Sequence, residues 1–327
     1  MPFETHRNLR LVLGGPHASA NLIQAGLLLA AFGALLAAAI WPLFGASGFL
    51  LAVLAVAAIA ALALALPPQT AMRLYGARPY EPGSLQQVGG LLVDLAQRAQ
   101  LNRSPDLYVI PSTMLSAFSV GTPRRSSIAV TEGLLRRLTM REIAAVLAHE
   151  IAHVGRGDLL AFGVADLVTR FAQALYYVGI GLAALNLFRL LTREELVSWW
   201  TVALLVLAPA IMNLLQLSLS RAREFGADRE AALLTGDPLG LAAAIARLET
   251  STGNLPEDLL PPVPARRVPQ PSMLRCPPPA GQRIARLNAF DAPPVPPLDI
   301  AEGPRISLIG VGPIEMRPRY RWPGVWF

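Results

Sequence analysis

A chain of 327 residues is long enough for one or two cores, but with 53% apolar residues, only 15% charged residues and a net charge of +6 it is too apolar for an ordinary soluble domain. All 28 basic residues are arginine, scattered among prolines and loops without an interleaved aromatic pattern, which argues against a nucleic-acid module. Cys276 is the only cysteine, so there is no intrachain disulfide, and a catalytic part in a reducing compartment fits.

Residues 1–66 read as an N-terminal tail and a transmembrane hairpin. The runs at about 22–44 and 48–66 are each near the ~20 residues that a helix needs to cross a bilayer, and the bend from Trp41 to Ser47 carries no charge. A signal peptide fits less well, because the first run exceeds an ordinary signal core and a second follows at once. From 67 to 158 the composition turns globular. Ser84–Gln100 has helical periodicity through Val88, Leu91, Leu92 and Leu95, and Asp106–Pro111 reads as a short strand. Ser116, Ala117, Phe118, Ser119 and Val120 form a second strand, Ser127–Val130 a third, and Gly121–Arg125 the turn between them. Glu132–Leu138 leads, as a short helix, into a longer one from Met140 to Val154.

That longer helix holds the motif on which the functional reading turns. Thr139 and Glu142 make a capping box, Ile143, Leu147, Ile151 and Val154 an apolar stripe, and Gly155 and Gly157 an exit. Within it, HEIAH places His149 and His153 four apart, on one face, where two imidazoles can share a metal ion, and Glu150 beside them, where it can reach a water on that ion. A chance match lacks such a cap and stripe.

Residues 159–219 carry the third and fourth apolar runs, at about 159–188 and 196–219. Asp166 and Arg170 share a face of the third and can pair inside a bundle; the alternative is an amphipathic helix lying on the globular part. Trp199 and Trp200 mark one end of the fourth. If all four cross, every arginine but Arg170, Arg189 and Arg193 lies on one side, so positive-inside places both termini and the HEIAH region in the cytoplasm, on a multi-pass protein of the inner (plasma) membrane. Residues 220–290 follow, with a helix ending at Gly236, another from Asp237–Pro238 to about Glu249, a proline-rich stretch and a short helix at Gly281–Phe290. The tail, 291–327, holds RISLIGVG as one strand and a basic, aromatic end suited to a membrane surface. The expected fold is mainly α with a small β-sheet: a four-helix membrane bundle plus a zincin-like α+β metalloprotease domain.

Two histidines leave a catalytic zinc one protein ligand short. His6 and His17 both precede the first span, so a carboxylate on a later helix is expected, with Glu224 in AREFGAD the best candidate. Asp228, one turn on, is suited to hold the far nitrogen of a bound histidine.

HEIAH followed by Gly157–Asp158, SRAREFGAD with Ala231–Ala232, SAFSVG before the metal helix and PPPAGQRIARL near the end together resemble the HtpX-type membrane zinc metallopeptidases, gluzincins related to the CAAX prenyl endopeptidases. The resemblance implies one Zn²⁺ held by His149, His153 and Glu224, Glu150 as catalytic base and Asp228 as support. It also implies polypeptide substrates, with quality control of damaged membrane proteins as the role. Two positions depart from the family pattern: Ser116 stands where an Asn is usual, and Cys276–Pro277 where His–Pro is usual. Both bear on substrate contacts rather than on the metal.

In that chemistry the ion acidifies a water and polarises the scissile carbonyl; Glu150 takes the proton and returns it to the leaving amine. Arg221, Arg223 or a tyrosine is available to stabilise the oxyanion, and the strand Ser116–Val120 to bind an extended substrate along its edge. The segment Leu255–Pro279 is a candidate shield over the site. The alternatives are a CAAX-type processing peptidase, a catalytically silent zinc-binding membrane scaffold, and a transporter-like bundle using Asp166 and Arg170.

Overall fold

The computed structural model describes residues 18–65, 67–74, 76–80, 86–122, 124–189, 197–252 and 278–291, with isolated positions beyond. In chain order the elements are α1 (Ala18–Ala65), α2 (Pro68–Leu74), β1 (Arg78–Pro79), α3 (Gln86–Arg98), β2 (Asp106–Ile110), β3 (Ala117–Thr122), β4 (Arg125–Thr131), α4 (Glu132–Arg137), α5 (Met140–Arg156), α6 (Leu159–Arg189), α7 (Trp199–Thr235), α8 (Pro238–Thr252) and α9 (Ala280–Asn288), with a two-residue ladder between β5 (Tyr320–Arg321) and β6 (Val325–Trp326) at the end. The expected strand in RISLIGVG, the Leu255–Pro277 stretch and Arg193 lie outside the described residues. Two compact units emerge, one from Ser19–Leu66 with Leu160–Ser220, the other from Met1–Ala18, Pro67–Leu159 and Arg221–Phe327.

In the first unit, three helices are long and apolar enough to cross a membrane. The first of them doubles back. Pro42 lacks the amide hydrogen that a helix interior needs, and Gly45 takes φ 55°, ψ −132°, outside the helical region. A Cβ built on Gly33 would lie 3.0 Å from Val56, which a straight helix would hold roughly 35 Å away at 1.5 Å per residue. Gly45 therefore divides Ala18–Ala65 into two helical arms. Phe32, Leu35, Ala52 and Ile59 from those arms pack with Val164, Val168 and Ala172 of α6 and Ala208 and Met212 of α7. Leu27, Phe49, Leu54, Phe188 and Leu214 point outwards, leaving these helices apolar on both faces, as a lipid solvent requires. Their interior polar groups are satisfied locally. Thr201 donates to the Ala39 carbonyl over 2.6 Å, Gln216 to Thr169 over 3.0 Å, and Arg170 to Asp166 over 2.8 Å.

The second unit is built round α5. The sheet runs β1-β2-β4-β3, with β4 parallel to β2 and antiparallel to both itself-adjacent β3 and, across β2, to β1. Alternate residues face opposite sides. Leu107, Ile128 and Val130 meet α5 and α3 through Leu147, Ile151, Leu91 and Leu95, whereas Tyr108, Ile110, Phe118 and Ala129 meet Met72 of α2. The expected stripe on α5 understates its burial: every residue from Glu142 to Val154 is buried. The small residues Ala144, Ala145, Ala148 and Ala152 allow close packing on the remaining faces.

The ends of α5 are fixed by its own sequence. The Thr139 hydroxyl accepts from the Glu142 amide, and the Thr139 amide donates to the Glu142 carboxylate over 2.7 Å. Gly157 closes the other end in the left-handed conformation, φ 74°, its amide donating to the His153 and Val154 carbonyls. Thr139→Ala should lower stability by about 1 kcal/mol in a denaturant titration of the full-length protein. An unchanged midpoint would mean that tertiary packing alone holds this end.

Candidate metal centre

One helical turn separates His149 and His153 on α5, and their Nε2 atoms converge to 3.2 Å. Glu224, on α7, closes the triangle: Oε2 stands 3.5 Å from Nε2 of His149 and Oε1 3.6 Å from Nε2 of His153. One ligand atom from each residue lies within 4.8 Å of the others, and all three residues are buried. Donors about 2.0–2.1 Å from a tetrahedral ion are roughly 3.3–3.4 Å apart, so the three side chains fit a zinc-sized cation without rearrangement.

A carboxylate stands behind each imidazole, hydrogen-bonded to the far nitrogen in His153 and close to it, without hydrogen-bond alignment, in His149. Nδ1 of His149 lies 3.1 Å from Oδ1 of Asp228, and Nδ1 of His153 lies 3.0 Å from Oδ2 of Asp158. An ionised carboxylate only accepts, so Nδ1 of His153 carries a hydrogen, and its Nε2 can offer a lone pair to a cation once the ring is neutral. Asp228 is gripped in turn by Arg283 of α9, whose Nε and Nη2 donate to Oδ2 and Oδ1 over 2.7 and 2.6 Å. Nη1 of the same guanidinium stands 3.3 Å from Oε2 of Glu224.

Burial opposes charge on all these groups, and their mutual hydrogen bonds override it. Glu224 is held well below the usual carboxylate range by the two histidines, and Asp228 is lowered by Arg283 and His149. Burial would depress His153, yet Asp158 and Glu224 lift it to about 10. The centre is thus a pocket of fixed negative charge that takes up a positive one, and a divalent cation suits it better than protons because it can engage all three donors at once.

Glu150 follows His149 on α5 and is buried, close enough to Arg283 to act on its charge. Arg223 turns away, its Nη1 3.8 Å from Asp158, while the side chain of Arg221 lies outside the described residues, as do Cys276 and Pro277. Ser116–Val120 lies on and just before β3, at an edge of the sheet as described, and β3 packs against α5. The Thr131 amide donates to the Ser116 carbonyl, so by the period of two Phe118 and Val120 also pair inwards with β4, and the backbone groups of Ala117 and Ser119 point to the open edge.

Sequence reasoning passed over Asp158 and Arg283 as functional residues. Asp158 lies just past the exit of the metal helix and Arg283 in a stretch expected only as a short helix, 55 residues from Asp228, a pairing that no local pattern announces.

Residues 82–291 match the model of peptidase family M48. A protease HtpX homolog of Acaryochloris marina is 37% identical over 237 residues, which cover 71% of this chain and 79% of the relative. One from Trichormus variabilis is 33% identical over 242 residues, covering 70% and 80%. Among solved structures, Ste24p of S. mikatae is similar at 19% identity with a TM-score of 0.42, covering 80% of this chain and 62% of that one. With the family match extending over both histidines, Glu150, Glu224, Asp228 and Arg283, the chain belongs to peptidase family M48 and is a membrane metallopeptidase.

Proposed function

We propose that this protein is a zinc-dependent endopeptidase that hydrolyses polypeptides, chiefly misfolded or damaged membrane proteins, at the cytoplasmic face of the inner membrane. In this reading 67–158 and 220–290 form the catalytic part, and His149, His153 and Glu224 hold the ion. The observation that carries it is the convergence of these three buried donors beside Glu150. The orientation is supported by the bias of arginines to one side of the apolar runs, and the quality-control role by the resemblance to HtpX-type peptidases.

When bound, a divalent ion at this centre supplies Lewis acidity and brings the pKa of a water near neutrality. In this reading Glu150 would be the base that takes the proton of the attacking water and returns it to the departing amine. Asp158 keeps the Nδ1 hydrogen of His153 in place, so that this imidazole keeps its orientation throughout. Protein purified without added metal should contain about one zinc per chain. Cleavage of an unstructured substrate such as casein should stop on chelation and return with zinc but not with magnesium, whose octahedral, oxygen-rich preference this donor set does not meet. Undiminished cleavage in excess chelator would overturn the proposal.

The open backbone groups of Ala117 and Ser119 are suited to an extended substrate strand, giving affinity with little side-chain preference. Ladder bonds alternate along a strand. N-methylation scanned along a cleaved peptide should therefore slow cleavage roughly fivefold or more at alternate positions and little between them. A flat profile would exclude edge binding.

A further inference from the structure

Behind His153, Asp158 is itself surrounded by charges that the proposed chemistry does not use. Oδ2 of Asp158 accepts from Nδ1 of His153 over 3.0 Å, and Nε of Arg156 stands 3.4 Å from that same oxygen. Arg156 reaches on to Glu230 of α7, Nη1 donating to Oε1 over 3.0 Å. Arg223 stands on the other side of Asp158, at 3.8 Å from Oδ1. Asp158 is fully buried, and the Arg156 side chain is 14% exposed.

Gly226 provides the room. A Cβ built there would come within 2.7 Å of Cζ and Nη1 of Arg156 and 2.8 Å of Nη2, so even a methyl group at 226 would displace the guanidinium. Gly226 lies inside α7, where glycine costs about 1 kcal/mol relative to alanine, and the Arg156 guanidinium is what occupies the space its missing side chain leaves.

We propose that Arg156, seated in the space left by Gly226 and tied to Glu230, is a positioning residue that fixes Asp158 and through it aims Nε2 of His153 at the metal. A single hydrogen bond leaves a carboxylate some freedom to swing, and the charge of a guanidinium 3.4 Å from the same oxygen opposes that movement. The assembly touches neither the ion nor the substrate. It rests on the reading of His153 as a ligand.

The test is a Co²⁺ absorption titration of the full-length, chelator-stripped protein in detergent. Arg156→Gln should weaken Co²⁺ binding about 10–100-fold. Gly226→Ala should weaken it within the same range, although residue 226 contacts no ligand. The two together should be no weaker than the worse single variant, because the methyl group then has no guanidinium to displace. Arg156→Lys should fall between parent and Arg156→Gln, and it stands in for that variant should Arg156→Gln fail to fold. A second readout does not need the metal. The chain has four histidines, so the Nδ1–H proton of His153 can be followed in protein labelled with ¹⁵N-histidine. It should shift in the Arg156 and Gly226 variants.

Folded single variants within twofold of the parent, with that resonance unmoved, would overturn the inference, as would effects that multiply in the double variant. A parent protein that takes up no Co²⁺ would instead remove the ligand assignment, and the resonance shift alone would then decide whether Arg156 orients His153.

Discussion

Glu150→Gln should abolish proteolysis while leaving the metal in place. The amide matches the carboxylate in shape but cannot take a proton from water, and general base catalysis of this kind is worth about 10²–10⁴-fold. Glu150 is outside the trio of converging donors, so metal content should stay near that of the parent. The measurement is casein or peptide cleavage beside metal analysis of the same preparation. A variant that keeps a tenth or more of parental activity would remove Glu150 from the mechanism. No activity in either protein, with metal bound in both, would favour a silent zinc-binding scaffold.

Arg283→Ala should lower stability strongly, although Arg283 is not one of the three converging donors. Its guanidinium forks onto Asp228 and approaches Glu224 where solvent scarcely reaches, and its side chain is 11% exposed. Removing it strands two buried carboxylates; breaking a buried pair from one side costs about 3–5 kcal/mol. Arg283→Lys should recover only part, because an ammonium group carries the charge without the fork. Arg141→Ala is the control. Arg141 also pairs with an aspartate, Asp237, but is 55% exposed, and such pairs are worth less than about 1 kcal/mol. Chemical denaturation of the three variants should separate them in that order, and an Arg283→Ala loss below about 1 kcal/mol would show that Asp228 and Glu224 do not depend on it.

Much of α5 is legible from residues 139–158 alone, because its cap, its apolar spacing and the placement of His149 and His153 are set within a few turns of one helix. The apolar runs are legible for the same reason, composition being local, although the reversal at Gly45 appears in sequence only as an uncharged bend. The β3–β4 hairpin is likewise marked by its own turn, but it is longer than Ser116–Val120 and Ser127–Val130 suggest, the strands reaching Thr122 and starting at Arg125. That β4 also pairs in parallel with β2 is not marked anywhere in the intervening residues. The same limit applies round the metal centre. Nothing near Asp158, Arg156 or Arg283 in sequence marks their partners, and only distance in space, with α7 and α9 laid against α5, assigns them.

Two of the three converging donors sit four residues apart, whereas the third arrives 71 residues after His153, behind both α6 and the apolar part of α7. During synthesis the histidine pair therefore emerges long before Glu224 exists, and a pair alone is a poor trap for an ion. Glu224 follows the last of the described helices that are long and apolar enough to cross a membrane, so the three donors can meet only after that helix has been made.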